Sequence, residues 1–321
     1  MKALLLVSGL AAALAVAPAG AGAQDYPVKP IHLVVPFPPG GGVDTVARTL
    51  LPKIAWKQPI VIDNRPGAGG NIAADVVAKA PPDGYTLLIT IHGFAISPSL
   101  YRKLPYDPLR DFAPVTQLTS TYTVLVVNPR IGVASLKDLI AFAKSKPGAI
   151  NYGSTGVGGA LHLSMELLKS MAGIDMLHVP YKGDGLLGTA LLTGEVDVAF
   201  LPLSAVMPHV RQGKLRILAM SSSVRSATIP EVPTLAEAGL PGFEVVGWLG
   251  IFAPAATSGP IVDEIRRQFA RAINLPEVKE RLPAWGYEAV GSTPQQFAGK
   301  FRSDLLTYAK IIKEARIPLQ D

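Results

Sequence analysis

Two glycine-rich turns hold the residues best placed to do chemistry. The first is Pro36-Phe37-Pro38-Pro39-Gly40-Gly41-Gly42-Val43-Asp44. The second is Asn151-Tyr152-Gly153-Ser154-Thr155-Gly156-Val157-Gly158-Gly159, which runs into Ala160-Leu161-His162. Glycine adopts backbone angles closed to other residues and lets a bound group come close to the main chain. Each turn precedes a helical pattern; in the first it is Val43, Ala47, Leu50, Leu51 and Ile54. Free amides at a helix start, with the positive end of the helix dipole behind them, attract anions. Either turn alone is equally consistent with a plain strand-to-helix connection. Two in equivalent positions favour a ligand, with the turns facing each other across one cleft.

The other candidates are weaker. Asp44 is either a helix cap or a contact. Asp197 sits in the apolar run Val196-Asp197-Val198-Ala199-Phe200, so it must be paired; it braces a loop or meets a ligand. His92 and His162 are read as hydrogen-bonding groups rather than catalysts. Ser154 is read as a hydroxyl donor or cap rather than a nucleophile. His162 and Glu166 share a helix face, but no third metal ligand lies near them in sequence. The chain has no cysteine, which removes disulfides, thiolate metal sites and cysteine catalysis. No phosphate-binding G-x-x-x-x-G-K-[ST] or nucleophile-elbow G-x-S-x-G motif occurs.

The elements that must position these turns alternate between strand and helix. Ile31-His32-Leu33-Val34-Val35 reads as a buried strand, followed by strands over 60–63 and 85–90 and helices between them. The helix over 72–80 is expected to bury Ile72, Val76, Val77 and Ala80. A parallel sheet covered by helices follows, and such sheets bind ligands beyond the carboxyl ends of their strands. Thr90 and His92 fall on that edge. The same alternation returns after residue 150. Segments 115–128 and 245–252 read as crossings between two domains. Domain 1 is then 24–123 plus 247–321, and domain 2 is 124–246.

Residues 1–23 read as a secretory signal peptide: Met1-Lys2, an apolar stretch to Ala17, then Ala21-Gly22-Ala23 as the cleavage site. An exported, periplasmic protein is expected, with no membrane-embedded segment. The net charge of +6 is spread without a basic run, so no nucleic-acid footprint is read from it.

Several segments together resemble one family. They are 36–44, Asn64-Arg65-Pro66-Gly67-Ala68-Gly69-Gly70, Pro82-Asp83-Gly84-Tyr85, Leu104-Pro105-Tyr106-Asp107-Pro108, His178-Val179-Pro180-Tyr181-Lys182-Gly183 and Val232-Pro233-Thr234-Leu235. In order, and across the whole mature chain, they resemble the Bug family, the extracytoplasmic receptors of tripartite tricarboxylate transporters. The resemblance implies a two-domain α/β flytrap of the periplasmic binding proteins. Each domain would be a mainly parallel sheet covered by helices, with two crossover strands as the hinge. It implies capture of a small carboxylate, delivery to membrane permease subunits, no catalysis and no cofactor or metal. A monomer is expected. The contacts it implies are Phe37, Gly41, Gly42, Asp44, Thr90 and His92 in domain 1. In domain 2 they are Ser154, Thr155, Gly158, Ala160, His162 and Asp197. Two segments depart from the family pattern: Leu201-Pro202-Leu203, where an acidic residue is usual, and Gly185-Leu186-Leu187-Gly188, where a small residue and proline are usual. A ligand-sensing partner of a membrane signalling protein is the alternative reading. A periplasmic hydrolase using Ser154 or Asp44 is the more distant one.

Overall fold

The computed structural model describes residues 26–226 and 228–321; the expected signal peptide at 1–23 lies outside the described residues. β1 (Ile31–Val35) is buried on both faces, Ile31, Leu33 and Val35 in one core and Val34 in another. A strand in the middle of a covered sheet has no other choice. β2 (Ile60–Asn64) and β3 (Thr86–Ile91) flank it in parallel, with Leu33 opposite both Ile62 and Leu87. α1 (Gly42–Leu50), α2 (Asn71–Ala78) and α3 (Gly93–Leu100) follow these three strands in turn.

The chain then passes into a second lobe. β4 (Phe112–Thr121) stops one residue before β5 (Thr123–Val127), with Tyr122 between them. Next come α4 (Leu136–Ser145), β6 (Asn151–Ser154), α5 (Ala160–Ala172), β7 (Leu177–Pro180) and α6 (Asp184–Thr193). β8 (Val198–Pro202), α7 (Leu203–Arg211) and β9 (Arg216–Met220) complete that lobe. β10 (Gly247–Pro254) returns to the first, followed by α8 (Gly259–Ile273), α9 (Pro276–Lys279), β11 (Tyr287–Ala289) and α10 (Pro294–Glu314). One sheet has the order β11-β4-β10-β3-β1-β2, and the other β7-β6-β8-β5-β9.

The sheets are more mixed than a mainly parallel pattern. β10 is antiparallel to β3 and β4, β11 to β4, and β5 to β8 and β9. For β5 and β10 the reason lies in the crossing. β1, β3, β4, β6 and β8 run towards the gap between the lobes and end there. A chain arriving from the other lobe enters at that same edge and must run away from it. β5 and β10 are the arriving strands, so Thr123 pairs with Pro202 and Leu249 with Ile91, each a strand start against a strand end. Gly247 lies opposite Thr121, so the two crossings stand side by side. Ser221 at the end of β9 is tied to Thr123 through both backbone and hydroxyl.

Helices cover both faces of each sheet. In the first lobe α1 and α8 bury Val46, Leu50, Ile265 and Phe269 on one side, while α2, α3 and α10 bury Val77, Phe94, Phe301 and Tyr308 on the other. β5 divides its apolar residues likewise, Leu125 and Val127 to one core and Val124 and Val126 to the other. The face of α2 differs from its sequence reading. Ile72 and Val76 are exposed, and Ala73, Ala74 and Val77 are buried. Two alanines let the helix lie close to the sheet, a fit that an apolar stripe alone does not reveal. Leu163 of α5 is fully buried within the first lobe's core, so one face of α5 joins the lobes. Among the described residues no helix is long and apolar enough to cross a membrane.

Gly250 in β10 lies beneath the fully buried Phe297 of α10, and a Cβ there overlaps the ring. Gly250→Ala is expected to cost about 1–3 kcal/mol through overpacking. The check is the midpoint of urea unfolding; an unchanged midpoint contradicts this packing.

Candidate functional site

A strand that ends at the gap and continues into a helix leaves that helix's first amides at the gap. A cavity of about 300 Å³ lies there, between the lobes. Ile91 and His92 of the first lobe line it, as do Thr155, Ala160, Leu161 and Asp184 of the second. These residues mark the starts of α3, α5 and α6. The three helices are preceded by His92, Gly159 and Gly183, and none of the three is capped by a side chain. The leading N–H groups of α5 and α6 therefore have neither a backbone nor a side-chain acceptor, while in α3 the Ala95 amide is donated to the His92 carbonyl at 2.9 Å and Gly93 and Phe94 are left. Pro202, before α7, also reaches the cavity, but the amide of Leu203 is donated to the Tyr122 carbonyl. No lysine or arginine lines the space. The charged side chain in the lining is an acid, Asp184, so donors for an anion there come from the backbone.

The second glycine turn is held from behind by an aromatic stack in which Tyr152 and His162 are buried and His178 is half-buried. His178 packs on His162 with ring centroids 4.0 Å apart, and Tyr152 on His178 at 4.8 Å. Ser154 Oγ is hydrogen-bonded to His178 Nε2 at 2.6 Å and accepts from the Gly156 amide at 3.2 Å. The Gly158 amide donates to His162 Nδ1 at 3.1 Å. The Tyr152 hydroxyl donates to Glu166, which Lys169 also reaches at 2.8 Å. Burial and then the neighbouring His178 push His162 down to about 4; burial also lowers His178. Both rings are thus neutral near pH 7, and a neutral His162 keeps the lone pair that Gly158 needs. Glu166 is spent on Tyr152 and Lys169. Among the described residues no group of three metal-binding side chains occurs.

The candidate residues divide by position. His92, Thr155 and Ala160 line the cavity together. Burial, followed by the charge of Lys300, pushes His92 down to about 4, so it too is neutral near pH 7. Ser154, Gly158 and His162 stand one layer behind the wall. Ser154 is fully buried, which denies a nucleophile access to substrate. Gly158 has φ +77° and faces Leu100, whose Cδ1 is 2.5 Å from where a Cβ would stand. It seats the turn on the first lobe, with its amide already engaged. Thr90 is buried within β3, just short of the wall.

The first turn reaches the same sheet edge but not the cavity lining. Asp44, 1% exposed, accepts from the Gly40 amide at 2.9 Å, Arg48 Nε at 2.7 Å and Asn64 Nδ2 at 3.1 Å. The Arg48 hydrogen bond is the main reason its carboxyl falls to about 2. Asn64 also donates to the Phe37 carbonyl at 2.9 Å, so Asp44 and Asn64 together shape the turn. The Gly41 amide points back to the Pro38 carbonyl, and Gly42 lies under the Tyr287 hydroxyl. Asp197 stands at the far, amino end of its strand. There it accepts from Arg130 at 2.9 Å and from the Asn151 amide at 2.8 Å. Both acids brace their own lobe.

Sequence reading missed His178, Ser164 and Asp184. Ser164 follows Ala160 by one helical turn, which was a usable signal. Asp184 opens a helix, where an acid is ordinary, and nothing local marks it as facing a cavity.

The family described as "Tripartite tricarboxylate transporter family receptor", TctC, matches residues 46–317. Protein BugT of Bordetella pertussis is 37% identical over 324 residues, covering 100% of this chain and 99% of its own. A Rhodopseudomonas palustris protein solved with adipate is 35% identical with TM-score 0.75, covering 92% of this chain and 100% of its own. MatC of the same organism, solved with bound malate, is 33% identical with TM-score 0.71, covering 89% and 100%. The fold is therefore that of the periplasmic solute-binding receptors, and these similar proteins are binding and transport receptors, not enzymes.

Acid should loosen the second turn. A histidine lowered to about 4 in the fold takes up protons in the unfolded chain first, from about 6.5 downwards. Its contribution to stability is complete above about 6.5 and is lost as pH falls towards 4. His162→Asn places an amide oxygen near the Nδ1 position and cannot titrate there. Melting temperature plotted against pH is expected to fall less steeply over that window in the variant. An equal slope contradicts a neutral His162 as the support of Gly158.

Proposed function

Since the chain belongs to the tripartite tricarboxylate transporter receptor family, we propose that it captures a small carboxylate between its lobes and delivers it to permease subunits in the membrane. The observation that carries this reading is the meeting of three uncapped helix starts around a cavity that holds no lysine or arginine. A carboxylate entering there exchanges water for main-chain N–H donors. Each charge-assisted hydrogen bond is worth about 1.5–3 kcal/mol. Helix dipoles add a field that needs no mobile cationic side chain, so little side-chain entropy is lost on binding.

Closure follows from the same geometry. α3 belongs to the first lobe, α5 and α6 to the second, and a ligand held by both sets favours the arrangement in which the two are near. That differential contact is what shifts a two-state equilibrium. The paired crossings at Thr121–Thr123 and at Gly247 are the connections about which the lobes turn. The closed form presents both lobes to the permease at once, which is how loading is reported. Residues 1–23 fit this reading by directing the chain to the periplasm.

Titration calorimetry against mono-, di- and hydroxycarboxylates and amino acids is expected to find a ligand of micromolar affinity or tighter. Thr155→Phe, which fills the cavity from a half-buried wall position, is expected to weaken that ligand at least tenfold while leaving the melting temperature of the free protein near wild type. Binding of sugars with no carboxylate bound, or full affinity in Thr155→Phe, contradicts the proposal.

A further inference from the structure

We propose that a second cavity, behind the crossing strands, binds an apolar molecule with one acidic end, and that filling it holds the lobes closed. Side chains of an extended chain alternate between its two sides. Thr121 and Thr123 line the front cavity described above, and Tyr122, between them in sequence, lines another of about 430 Å³. The two cavities therefore lie on opposite sides of the crossing. The same change of side recurs at Pro202, which faces the front, and Leu203, which faces the rear. Both lobes build the rear cavity. Met207 and Arg211 of α7 come from the second lobe, and Pro283, Tyr287 and Glu288 from the first. No residue is shared with the front lining.

Small-molecule sites enclose about 300–1,000 Å³ and are mostly apolar, with a few polar groups that fix orientation. The rear cavity has that make-up. Leu203, Met207, Pro283 and the rings of Tyr122 and Tyr287 supply the apolar part. Arg211 is the one lysine or arginine in the lining, and it makes no ion pair among the described residues. A guanidinium suits a carboxylate or sulfonate. Glu288 stands on the opposite, first-lobe wall near Tyr122, whose hydroxyl is raised by burial and then by that carboxylate. A second acid at that wall meets a like charge, so the ligand carries one acid and not two.

The coupling to closure rests on the reading of the lobes as a hinged pair. They are together in this structure, with Leu163 of α5 fully buried in the first lobe's core. Opening the front cavity turns the lobes about the crossings. Behind a hinge the same turn brings α7 towards residues 282–288. Little slack remains there, since a Cβ on Gly286 would stand 2.8 Å from Ser204 Oγ. A molecule filling the rear cavity obstructs that turn and so prefers the closed arrangement, which is what shifts a population. By linkage, the front and rear ligands strengthen each other by one and the same factor. A gap left only by imperfect packing between the lobes predicts neither a bound acid nor an effect on the front cavity.

The probe is 8-anilinonaphthalene-1-sulfonate, an apolar monoanion, followed by its fluorescence during titration of the full chain. Saturable binding at one site is expected in the wild type and in Thr155→Phe, whose front cavity is filled. Arg211→Gln is expected to weaken the dye at least fivefold and to leave carboxylate affinity in its absence unchanged within twofold. Ala284→Trp, which fills the rear cavity from an exposed wall position, is expected to abolish dye binding. Melting temperatures establish that both variants fold. Coupling is read by calorimetry with the tightest-binding carboxylate of the screen above. That carboxylate is expected to bind at least threefold more tightly with the dye at saturation, and at least threefold more tightly to Ala284→Trp than to the wild type. Dye binding that is equal in all four proteins, or lost in Thr155→Phe, overturns the rear site. Carboxylate affinity that moves in neither measurement overturns its coupling to closure. A screen in which no carboxylate binds overturns the proposed function and the coupling with it, while the dye titration still decides the rear site by itself.

Discussion

The structure depends on where the chain crosses between its lobes. Strands that run to the gap and stop there must continue into helices whose amino ends lie at the gap. β3 reaches α3 through His92, β6 reaches α5 through the glycine turn 155–159, and β7 reaches α6 through Tyr181, Lys182 and Gly183. Strands that arrive across the gap must run the other way, which places β5 and β10 antiparallel among their neighbours. One constraint on direction therefore sets both the mixed sheets and the cluster of helix starts. The convergence of helix starts at the cavity is a consequence of topology.

Backbone alone does not fix the second turn, which has several glycines and few side chains of its own. The stack of Tyr152, His178 and His162 supplies what the turn lacks. It lies between the turn and the core of the second lobe and ties Ser154 and the Gly158 amide in place. Leu100 of the first lobe presses on Gly158 from the other side. The turn is thus preorganised by neutral groups, so its supports add no charge of their own beside an incoming anion. Asp44 plays the matching part in the first turn, where Arg48 and Asn64 absorb its charge.

Much of the fold was legible because the signals are local. An apolar run, a glycine-rich turn and a helical stripe identify β1 with α1 and β6 with α5 without reference to the rest of the chain. Strand direction was not legible, since it depends on which lobe the chain comes from. The face of α2 was misread because Ala73 and Ala74 look unremarkable beside Ile72 and Val76, and only close approach to the sheet decides between them. In the site, Thr155, Ala160 and His92 follow from their places at helix starts. For Asp44 and Asp197 the sequence left bracing and ligand contact as alternatives, because two of the partners that decide, Asn64 and Arg130, are 20 and 67 residues away.

The central claim is that main-chain amides at converging helix starts hold the ligand. Amide chemical shifts followed by nuclear magnetic resonance during titration with a bound carboxylate test it most directly. The largest shifts are expected at the free leading amides of α3, α5 and α6, in the stretches 93–94, 160–162 and 184–186, saturating together. Shifts confined to one lobe, or centred on surface lysines and arginines away from the gap, contradict it.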